Sequence, residues 1–334
     1  MPNIRYSALK DTPYQREYIN APKTPLLDTL GLLDQKSTTL CKTPKLKYKV
    51  LTKYLTHQII YPLIDLHTAM ERSYWDAWRC GNILVQNGQR LTTTYCKHRV
   101  CIMCNRIRTA ELMNGYLPQI ERFTDSHFVT LTTPNVRQEY LREEFEHLIK
   151  TFGLIMRKAK RKGLRNTALR KIECTYNPKR NTYNPHIHVI ADNLELATFI
   201  RNEWLKRNVY ASRRAQDIRR ADSNSAMELF KYFTKLVHIN HEQSKSGQPT
   251  KVELQPRALD SILSAIKGKR TFQTYGTLKL ISEDIEKIES QEYPELDNDI
   301  AIWNYTPIIH NYVNHEGLIM SSVNAPDVYQ VVVK

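Results

Sequence analysis

Two histidines alternate with apolar residues in the segment 185–190, PHIHVI, and this alternation limits what the chain can fold into. Side chains of a β-strand point alternately to its two faces, so His186 and His188 share one face. Ile187 and Val189 share the other. The pattern predicts a strand with an apolar core on one side and two adjacent imidazoles, which are common metal ligands, on the other. For an isolated His-x-His, two surface histidines on a hairpin are the alternative.

The residues before this strand predict its partner. Residues 169–177 are typical of a strand, 177–181 of a turn, and 185–192 of the returning strand of a hairpin. Pairing of the two strands brings Glu173 close to the histidines, because directly opposite side chains lie about 5 Å apart. Two histidines and a carboxylate suit Mg²⁺, Mn²⁺ or Zn²⁺.

The hairpin lies inside a longer alternation of strands and helices, which predicts an α+β fold. Around it we predict a strand over 126–133, a helix over 139–162, a helix over 194–207, a short strand over 216–219 and a helix over 223–238. The order β-α-β-β-α-β is that of the split-βαβ, or ferredoxin-like, fold. Such an antiparallel sheet packs helices on one face and leaves the other free for a ligand.

The charge distribution favours a polyanionic partner. The chain has 49 Lys and Arg against 34 Asp and Glu, a net charge of +15, and residues 154–220 alone have 17 basic against 5 acidic residues. Such a body attracts nucleic acid, although a solvated basic surface is the alternative. With 10 glycines in 334 residues, the sequence has neither a Walker A loop nor a dinucleotide fingerprint, so we expect no nucleotide cofactor. No apolar run is long enough to cross a membrane and no secretory signal is evident, so we expect a cytoplasmic location.

Four cysteines cluster between the first helical region and the first predicted strand. They are Cys80, Cys96, Cys101 and Cys104. A Cys-x-x-Cys pair can hold one side of a tetrahedral zinc ion, and two further ligands complete the site. Cys80 and His98 compete for the fourth position, and buried free thiols are the alternative to a metal. Cys41 and Cys174 are predicted to lie outside the cluster.

The segment 228–235, ELFKYFTK, contains a candidate nucleophile. On the predicted helix Glu228 and Tyr232 share a face, with Lys231 and Lys235 beside it. A nearby cation or metal favours the phenolate of Tyr232 and makes it a competent nucleophile, and a carboxylate one turn away can activate water. An amphipathic helix with an ion pair and a half-buried tyrosine is the alternative.

Together these segments resemble the replication initiators of rolling-circle plasmids, within the HUH endonuclease superfamily. The matching segments, in the expected order, are CKHRVCIMCNR (96–106), FVTLTTPN (128–135), ECTYN (173–177) with YNPHIHV (183–189), and ELFKYFTK (228–235). The last is similar to the nicking motif of the subgroup with one tyrosine and a glutamate four residues earlier. A weaker similarity is IKGKR (266–270) before Tyr275. The family often has a histidine where Asn184 stands.

The resemblance implies a site-specific nicking enzyme that acts on single-stranded or supercoiled DNA at a replication origin. It implies that His186, His188 and Glu173 hold Mg²⁺ or Mn²⁺ and that Tyr232 attacks the scissile phosphate. The product is a 5′-phosphotyrosine link and a free 3′-OH primer. Glu228 would activate water at termination. Lys235 would bind phosphate or lower the pKa of Tyr232. The DNA-binding residues predicted are Lys231, Arg170, Lys171, Arg180 and Arg219.

The implied organisation has four parts. These are a polar arm (1–47), a helical, cysteine-rich region that binds structural zinc (48–122), the HUH endonuclease domain (123–280) and an acidic tail (281–334). A host helicase and a polymerase are the expected partners, and no membrane is. The alternatives are an HUH transposase or relaxase with the same chemistry, and a non-catalytic, zinc-containing DNA-binding regulator. Tyr176, Tyr183 and Tyr275 remain open as nucleophiles.

Overall fold

The protein is described from a computed structural model. It describes residues 44–222, 225, 229–230, 237–239, 249–279, 291–292, 296 and 300–334. The helices are α1 Pro44–Ile64, α2 Glu71–Arg79, α3 Ile102–Ile120, α4 Leu141–Arg161, α5 Leu194–Arg207, α6 Pro256–Ala265 and α7 Ala325–Val328. The strands are β1 Ile83–Asn87, β2 Arg90–Thr92, β3 His127–Thr132, β4 Ala168–Asn177, β5 Thr182–Ala191, β6 Asp217–Arg220, β7 Val237–Ile239, β8 Thr250–Leu254, β9 Phe272–Tyr275, β10 Gln291–Glu292, β11 Ile300–Thr306, β12 Asn311–Val313 and β13 Tyr329–Val333. The fold is α+β. In the part of the chain that the structure describes, no helix is both long enough and apolar enough to cross a membrane.

The central sheet is antiparallel, with strand order β6-β3-β5-β4-β9. Helices α4 and α5 cover one face, where Phe145 and Phe152 of α4 and Trp204 of α5 are buried with Ile187 and Val189 of β5. The 3.6-residue repeat of apolar side chains on α4 and the two-residue repeat on β5 therefore meet in one core.

The second face of this sheet is partly covered, which differs from the prediction of a free face. Phe128, Leu169 and Ile190 are apolar and lie on this face, and α3 packs over them through Tyr116 and Ile120. Leu229 and Phe230 complete this cluster. Apolar side chains at one end of the face require cover, so the polar residues at the other end form the candidate site.

Residues 300–334, within the segment 281–334 that its composition marks as an acidic tail, pair with two of the sheets. Strand β11 pairs with β1 in the sheet β10-β2-β1-β11-β12, and β13 pairs in parallel with β8 in the sheet β13-β8-β7. Trp303, Tyr305 and Tyr312 are buried against Leu84 and Leu91. Eight of the ten acidic residues after position 280 precede residue 300. The net charge of the whole segment therefore gave no indication of strand β11, whose buried and exposed side chains alternate.

The helix predicted over 223–238 extends too far at its C-terminal end. Val237–Ile239 is strand β7, which pairs antiparallel with β8. The β-branched Val237 and Ile239 suit a strand better than the last turn of a helix. Most of the remaining segment, including Glu228, Lys231, Tyr232 and Lys235, lies outside the described residues.

Two candidate metal centres

The first candidate centre is the group of Glu173, His186 and His188. Strand register places Glu173 opposite His186, and the two-residue repeat of β5 puts His188 on the same face. Glu173 Oε2 lies 3.7 Å from His186 Nε2 and 3.6 Å from His188 Nε2. The three ligand atoms lie within 4.8 Å of one another, and all three side chains are buried. The sheet thus brings together the three residues that the sequence predicted, in a group that can hold one metal ion.

Hydrogen bonds orient both imidazoles toward Glu173. His186 Nδ1 is 2.9 Å from the carbonyl oxygen of Asn184, which can only accept, so Nδ1 carries the proton. In the neutral ring, Nε2 then presents its lone pair. His188 Nδ1 is 3.2 Å from Thr130 Oγ1, the hydroxyl of the residue opposite on β3. Fixing one ring nitrogen and leaving the other to a metal is the usual arrangement around histidine ligands.

A buried ion pair with Lys171 balances the charge of Glu173. Lys171 Nζ lies 2.7 Å from Glu173 Oε1, and both side chains are buried. Burial alone would raise the pKa of Glu173, but the neighbouring imidazoles of His186 and His188 and the charge of Lys171 hold it well below its usual range. The carboxylate is therefore ionised and available as a ligand. Lys171 was predicted to bind DNA. Its burial and its ion pair instead make it part of this centre.

Thr130 is a residue that the sequence prediction missed, although its register opposite His188 could have revealed it. Thr130→Val is expected to weaken divalent metal binding at this centre by about 10- to 100-fold, because the His188 ring loses the hydroxyl that orients it. Isothermal titration with Mn²⁺ measures this. Thr175→Val, on the same sheet face opposite Asn184, is the matched control and should leave the affinity within about twofold. Equal affinity in both variants would contradict the orienting role.

The predicted DNA-binding arginines fall into different environments. Arg180 is exposed in the hairpin turn, and Arg219 is exposed with its guanidinium 4.6 Å from the Phe128 ring centre. Arg170 is fully buried, where its Nη2 donates to the carbonyl oxygen of Arg270 at 2.8 Å. Arg170 also lies 5.8 Å from the Phe152 ring centre, on the helix-covered face. The side chain of Arg170 therefore belongs to the core, and its burial does not support the predicted DNA contact.

This difference gives a paired prediction. Arg170→Ala should lower the free energy of unfolding by about 3 kcal/mol, since it removes buried packing and charged hydrogen bonds. Arg180→Ala should change it by less than about 0.5 kcal/mol, because the side chain is exposed. Urea denaturation measures both. A small effect at Arg170 would contradict its assignment to the core.

The alternative tyrosines lie on the wrong face of the sheet for the centre. Tyr183 is buried among the residues of the helix-covered face, and Tyr275 lies 5.5 Å from Phe152 between ring centres. Tyr176 packs 5.0 Å from the Tyr183 ring, and its hydroxyl donates to Asn181. Strand alternation separates all three from His186, so none of them is positioned to reach a phosphate at this centre.

Leu229 and Phe230, which precede Tyr232 in the sequence, pack on the face of the centre. The Phe230 ring is 5.9 Å from Phe272, and its carbonyl oxygen accepts a 3.4 Å hydrogen bond from Thr109 Oγ1. Phe230 shares an apolar cluster with Phe128, whose ring is 5.2 Å from that of His188.

The second candidate centre is the cluster Cys80, Cys96, Cys101 and Cys104, whose sulfurs lie within 4.8 Å of one another. Cys104 Sγ is 3.6 Å from both Cys80 Sγ and Cys96 Sγ. Zn–S bonds of about 2.3 Å in a tetrahedron place sulfurs about 3.8 Å apart, so the four thiols fit one such ion. Cys80, and not His98, completes the set, because His98 Nε2 instead faces Asp76 at 3.3 Å.

The surroundings of this cluster suit thiolates. The backbone N–H of Cys96 donates to Cys80 Sγ, and that of Lys97 donates to Cys104 Sγ at 3.2 Å. Buried Lys53, which sequence reasoning missed, donates to the carbonyl oxygen of Cys80 at 2.7 Å. Burial lowers the pKa of Lys53 to about 7, although the nearby thiols act in the opposite direction. A lysine among the apolar positions of α1 was the only sequence signal for it.

Known proteins resemble much of this chain. The sequence model of a family described as "Replication protein" matches residues 88–304. A protein named "Protein rep" from Staphylococcus aureus is 33% identical over 170 residues, covering 45% of this chain and 74% of that protein. "Protein rep" from Streptococcus pneumoniae is 33% identical over 106 residues, covering 29% of this chain and 32% of that protein. "Protein rep" from Bacillus amyloliquefaciens is 30% identical over 101 residues, covering 29% and 30%. No solved structure gave a significant match.

Proposed function

The chain belongs to this replication protein family, and from that premise we propose that it initiates rolling-circle replication of a plasmid. In this proposal it nicks one DNA strand at the origin through a metal-assisted attack by Tyr232. The observation that carries the proposal is the buried group of Glu173, His186 and His188, with Phe230 packed on the same sheet face two residues before Tyr232.

The topology supports the same interpretation. The sequential strands β3, β4, β5 and β6 occur in the sheet order β6-β3-β5-β4, with α4 and α5 as the connections that cover one face. An antiparallel sheet with its four strands in the order 4-1-3-2 suits the split-βαβ arrangement that the HUH resemblance implies. We therefore assign the region around 123–280 as the HUH endonuclease domain, with strand β9 added at one edge.

The chemistry follows from the side chains that the proposal assigns. Glu173, His186 and His188 would hold Mg²⁺ or Mn²⁺, which would supply Lewis-acid stabilisation of the charge on the scissile phosphate. The Tyr232 oxygen forms a bond to phosphorus as the phenol gives up its proton. The bond from phosphorus to the 3′ oxygen breaks, and that oxygen takes up a proton to become the 3′-OH primer. The 5′ end stays on Tyr232, so the bond energy is conserved for the later joining step.

The remaining residues of the nicking segment take supporting roles. At termination Glu228 accepts a proton from water as the water oxygen bonds to phosphorus at the second cleavage. The departing 3′ oxygen takes up a proton, so hydrolysis releases the strand. Lys231 and Lys235 supply positive charge to the phosphate or to the Tyr232 phenolate. The four cysteines would hold structural Zn²⁺, which anchors the start of α3 to the end of α2. A host helicase and a polymerase would act on the nicked origin and its primer.

A covalent adduct tests the proposal directly. The protein is incubated with Mn²⁺ and 5′- or 3′-labelled single-stranded DNA from the origin of its own replicon, and adducts that survive boiling in detergent are counted. We expect an adduct that retains only the label downstream of the nick, and its loss in Tyr232→Phe. Tyr176→Phe is the matched control, because that tyrosine lies on the opposite face of the sheet.

The outcomes separate the alternatives. An adduct that persists in Tyr232→Phe would move the nucleophile to another tyrosine. Absence of any adduct, with tight DNA binding retained, would favour a non-catalytic regulator. An adduct on DNA from a mobile element or a transfer origin, and none on the replication origin, would favour a transposase or a relaxase.

A further inference from the structure

The loop 208–216, between α5 and β6, exposes two adjacent apolar side chains. Val209 is 76% exposed and Tyr210 is 87% exposed, the highest value among the large apolar residues that the structure describes. Neither side chain is used by the fold. Single exposed apolar side chains are common on protein surfaces. Two adjacent ones indicate a binding surface only if other features of the loop suit the same ligand.

The loop is firmly held at its C-terminal end. Gln216 is buried, its Oε1 accepts a 2.8 Å hydrogen bond from the Thr132 N–H, and its Nε2 donates to the Thr132 carbonyl oxygen at 3.2 Å. Gln216 Nε2 also donates to the carbonyl oxygen of Ser212 at 2.8 Å, which closes the loop on itself. One amide therefore ties the loop to the end of β3.

The N-terminal end of the loop is held as well. Asn208 is buried, its Nδ2 donates to the Trp204 carbonyl oxygen at 2.9 Å, and its Oδ1 is 2.6 Å from His147 Nε2. The N–H of Ala211 donates to the carbonyl oxygen of Asn208 at 2.8 Å. With both ends fixed, the exposure of Tyr210 is a property of an ordered loop. A preorganised aromatic ring binds at a lower entropic cost than a mobile one.

The anchor point of the loop adjoins the first metal centre. Thr132, which binds Gln216, lies directly opposite His186 in the sheet register. Paired Cα atoms in an antiparallel ladder lie about 4.5–5.5 Å apart. Gln216 is six positions after Tyr210 in the chain, which limits the Cα distance between them to about 20 Å. The exposed ring is therefore within a few nucleotides of a phosphate bound at the centre.

The loop also has positive charge that no carboxylate among the described residues neutralises. Arg213 and Arg214 are exposed, and within the described ranges neither guanidinium forms an ion pair with a carboxylate. Residues 201–220 have 7 basic and 2 acidic residues, a net charge of +5. An aromatic ring beside free guanidinium groups is the combination that binds single-stranded nucleic acid, by base stacking and by phosphate contacts.

We propose that the loop 208–216 is a binding site for single-stranded DNA next to the scissile phosphate. Tyr210 stacks on an unpaired base, Val209 contacts the edge of the same base or its sugar, and Arg213 and Arg214 bind the adjoining phosphates. This inference rests on the proposed function, since it assigns the loop to the same DNA strand that the metal centre would cleave. A protein partner is disfavoured because two side chains form too small an apolar patch for a stable protein interface.

Binding of a fluorescein-labelled, single-stranded origin oligonucleotide, followed by anisotropy over a salt series, tests this site. Tyr210→Ala should weaken binding by about 5- to 150-fold, the range for loss of one stacked base. Its salt dependence should not change, because no charge is removed. Tyr210→Phe should bind within about twofold of wild type. Tyr48→Ala, which removes a tyrosine 52% exposed on α1, is the matched control.

The arginines are tested by the slope of log K against log salt. The double variant Arg213→Gln with Arg214→Gln should lower the magnitude of this slope by about 1.4, since each phosphate contact contributes about 0.7 on a single strand. Circular dichroism of each variant, compared with wild type, shows whether the protein is folded.

Two results would overturn the proposal. They are wild-type affinity in Tyr210→Ala, and an unchanged slope in the double arginine variant. Either would show that this loop does not bind the DNA strand. Failure of the proposed function is separate, because it appears as loss of the covalent adduct in the wild-type protein. If the adduct forms at saturating DNA in both wild type and Tyr210→Ala while affinity differs, the nicking chemistry and the binding site are both supported.

Discussion

Replacing His188 with alanine is expected to slow strand cleavage by roughly 10³-fold. Metal stabilisation of charge on a reacting phosphate contributes several kcal/mol, and about 1.4 kcal/mol corresponds to a factor of ten in rate. His188 Nε2 lies 3.6 Å from Glu173 Oε2, and its Nδ1 lies 3.2 Å from Thr130 Oγ1, so the substitution removes an oriented ligand of the group. The measurement is the single-turnover cleavage rate of an origin oligonucleotide at saturating protein and Mn²⁺.

The control for this variant is another histidine of the same sheet. His127 lies near the start of β3, where its Nδ1 is 2.8 Å from the carbonyl oxygen of Asp125, and it belongs to neither metal group. His127→Ala should cleave within a few fold of wild type. A rate for His188→Ala that matches the rate for His127→Ala would show that the group is not the catalytic centre. Titration with Mn²⁺ then shows whether metal binding itself was lost.

Replacing Cys96 with serine is expected to lower the melting temperature by at least about 10 °C. A structural zinc ion in a small domain contributes about 10–16 kcal/mol, and each kcal/mol changes the melting temperature by about 2–4 °C in a protein of this size class. Cys80 follows α2, Cys96 follows β2, Cys101 lies just before α3 and Cys104 lies in the first turn of α3. Loss of the metal therefore releases several elements together. Differential scanning calorimetry measures the change, and metal analysis counts the bound zinc.

Chelation provides the control for this prediction. A strong chelator should lower the melting temperature of wild type toward that of Cys96→Ser, and should have no effect on the variant. Cys174→Ala removes a buried thiol outside the cluster and should keep both the zinc and the response to chelator. If wild type contained no zinc after purification with metal present, and chelator had no effect, the cluster would be a set of buried thiols.

The sequence predicted the site better than it predicted the surroundings of the site. Alternation along β5 was enough to place His186 and His188 on one face, and the hairpin register placed Glu173 beside them. The same rule, applied to β4, would have put Arg170 on the core side with Ile172. It was instead assigned to DNA from its charge alone. Charge indicates a partner, whereas strand parity decides which side chains can reach it.

Other features depended on contacts between residues far apart in the chain. Nothing in the spacing distinguishes Cys80 from His98 as the fourth ligand, because that choice depends on where α2 ends relative to α3. The pairing of β11 with β1 joins residues more than 200 positions apart, for example Ile83 with Asn304. Local propensity contains no information about such pairings.

These distant pairings also determine the order in which the chain can fold during translation. The sheet with the first metal centre needs only residues 127–220 and 272–275, whereas β1 and β8 wait for partners that begin at residues 300 and 329. At 5–20 residues per second, Ile83 waits roughly 10–45 s for Asn304. A product truncated before residue 300 would have a formed metal centre but open strand edges, which promote aggregation. We therefore expect the amount of working protein to follow completed translation events, with no contribution from truncated products.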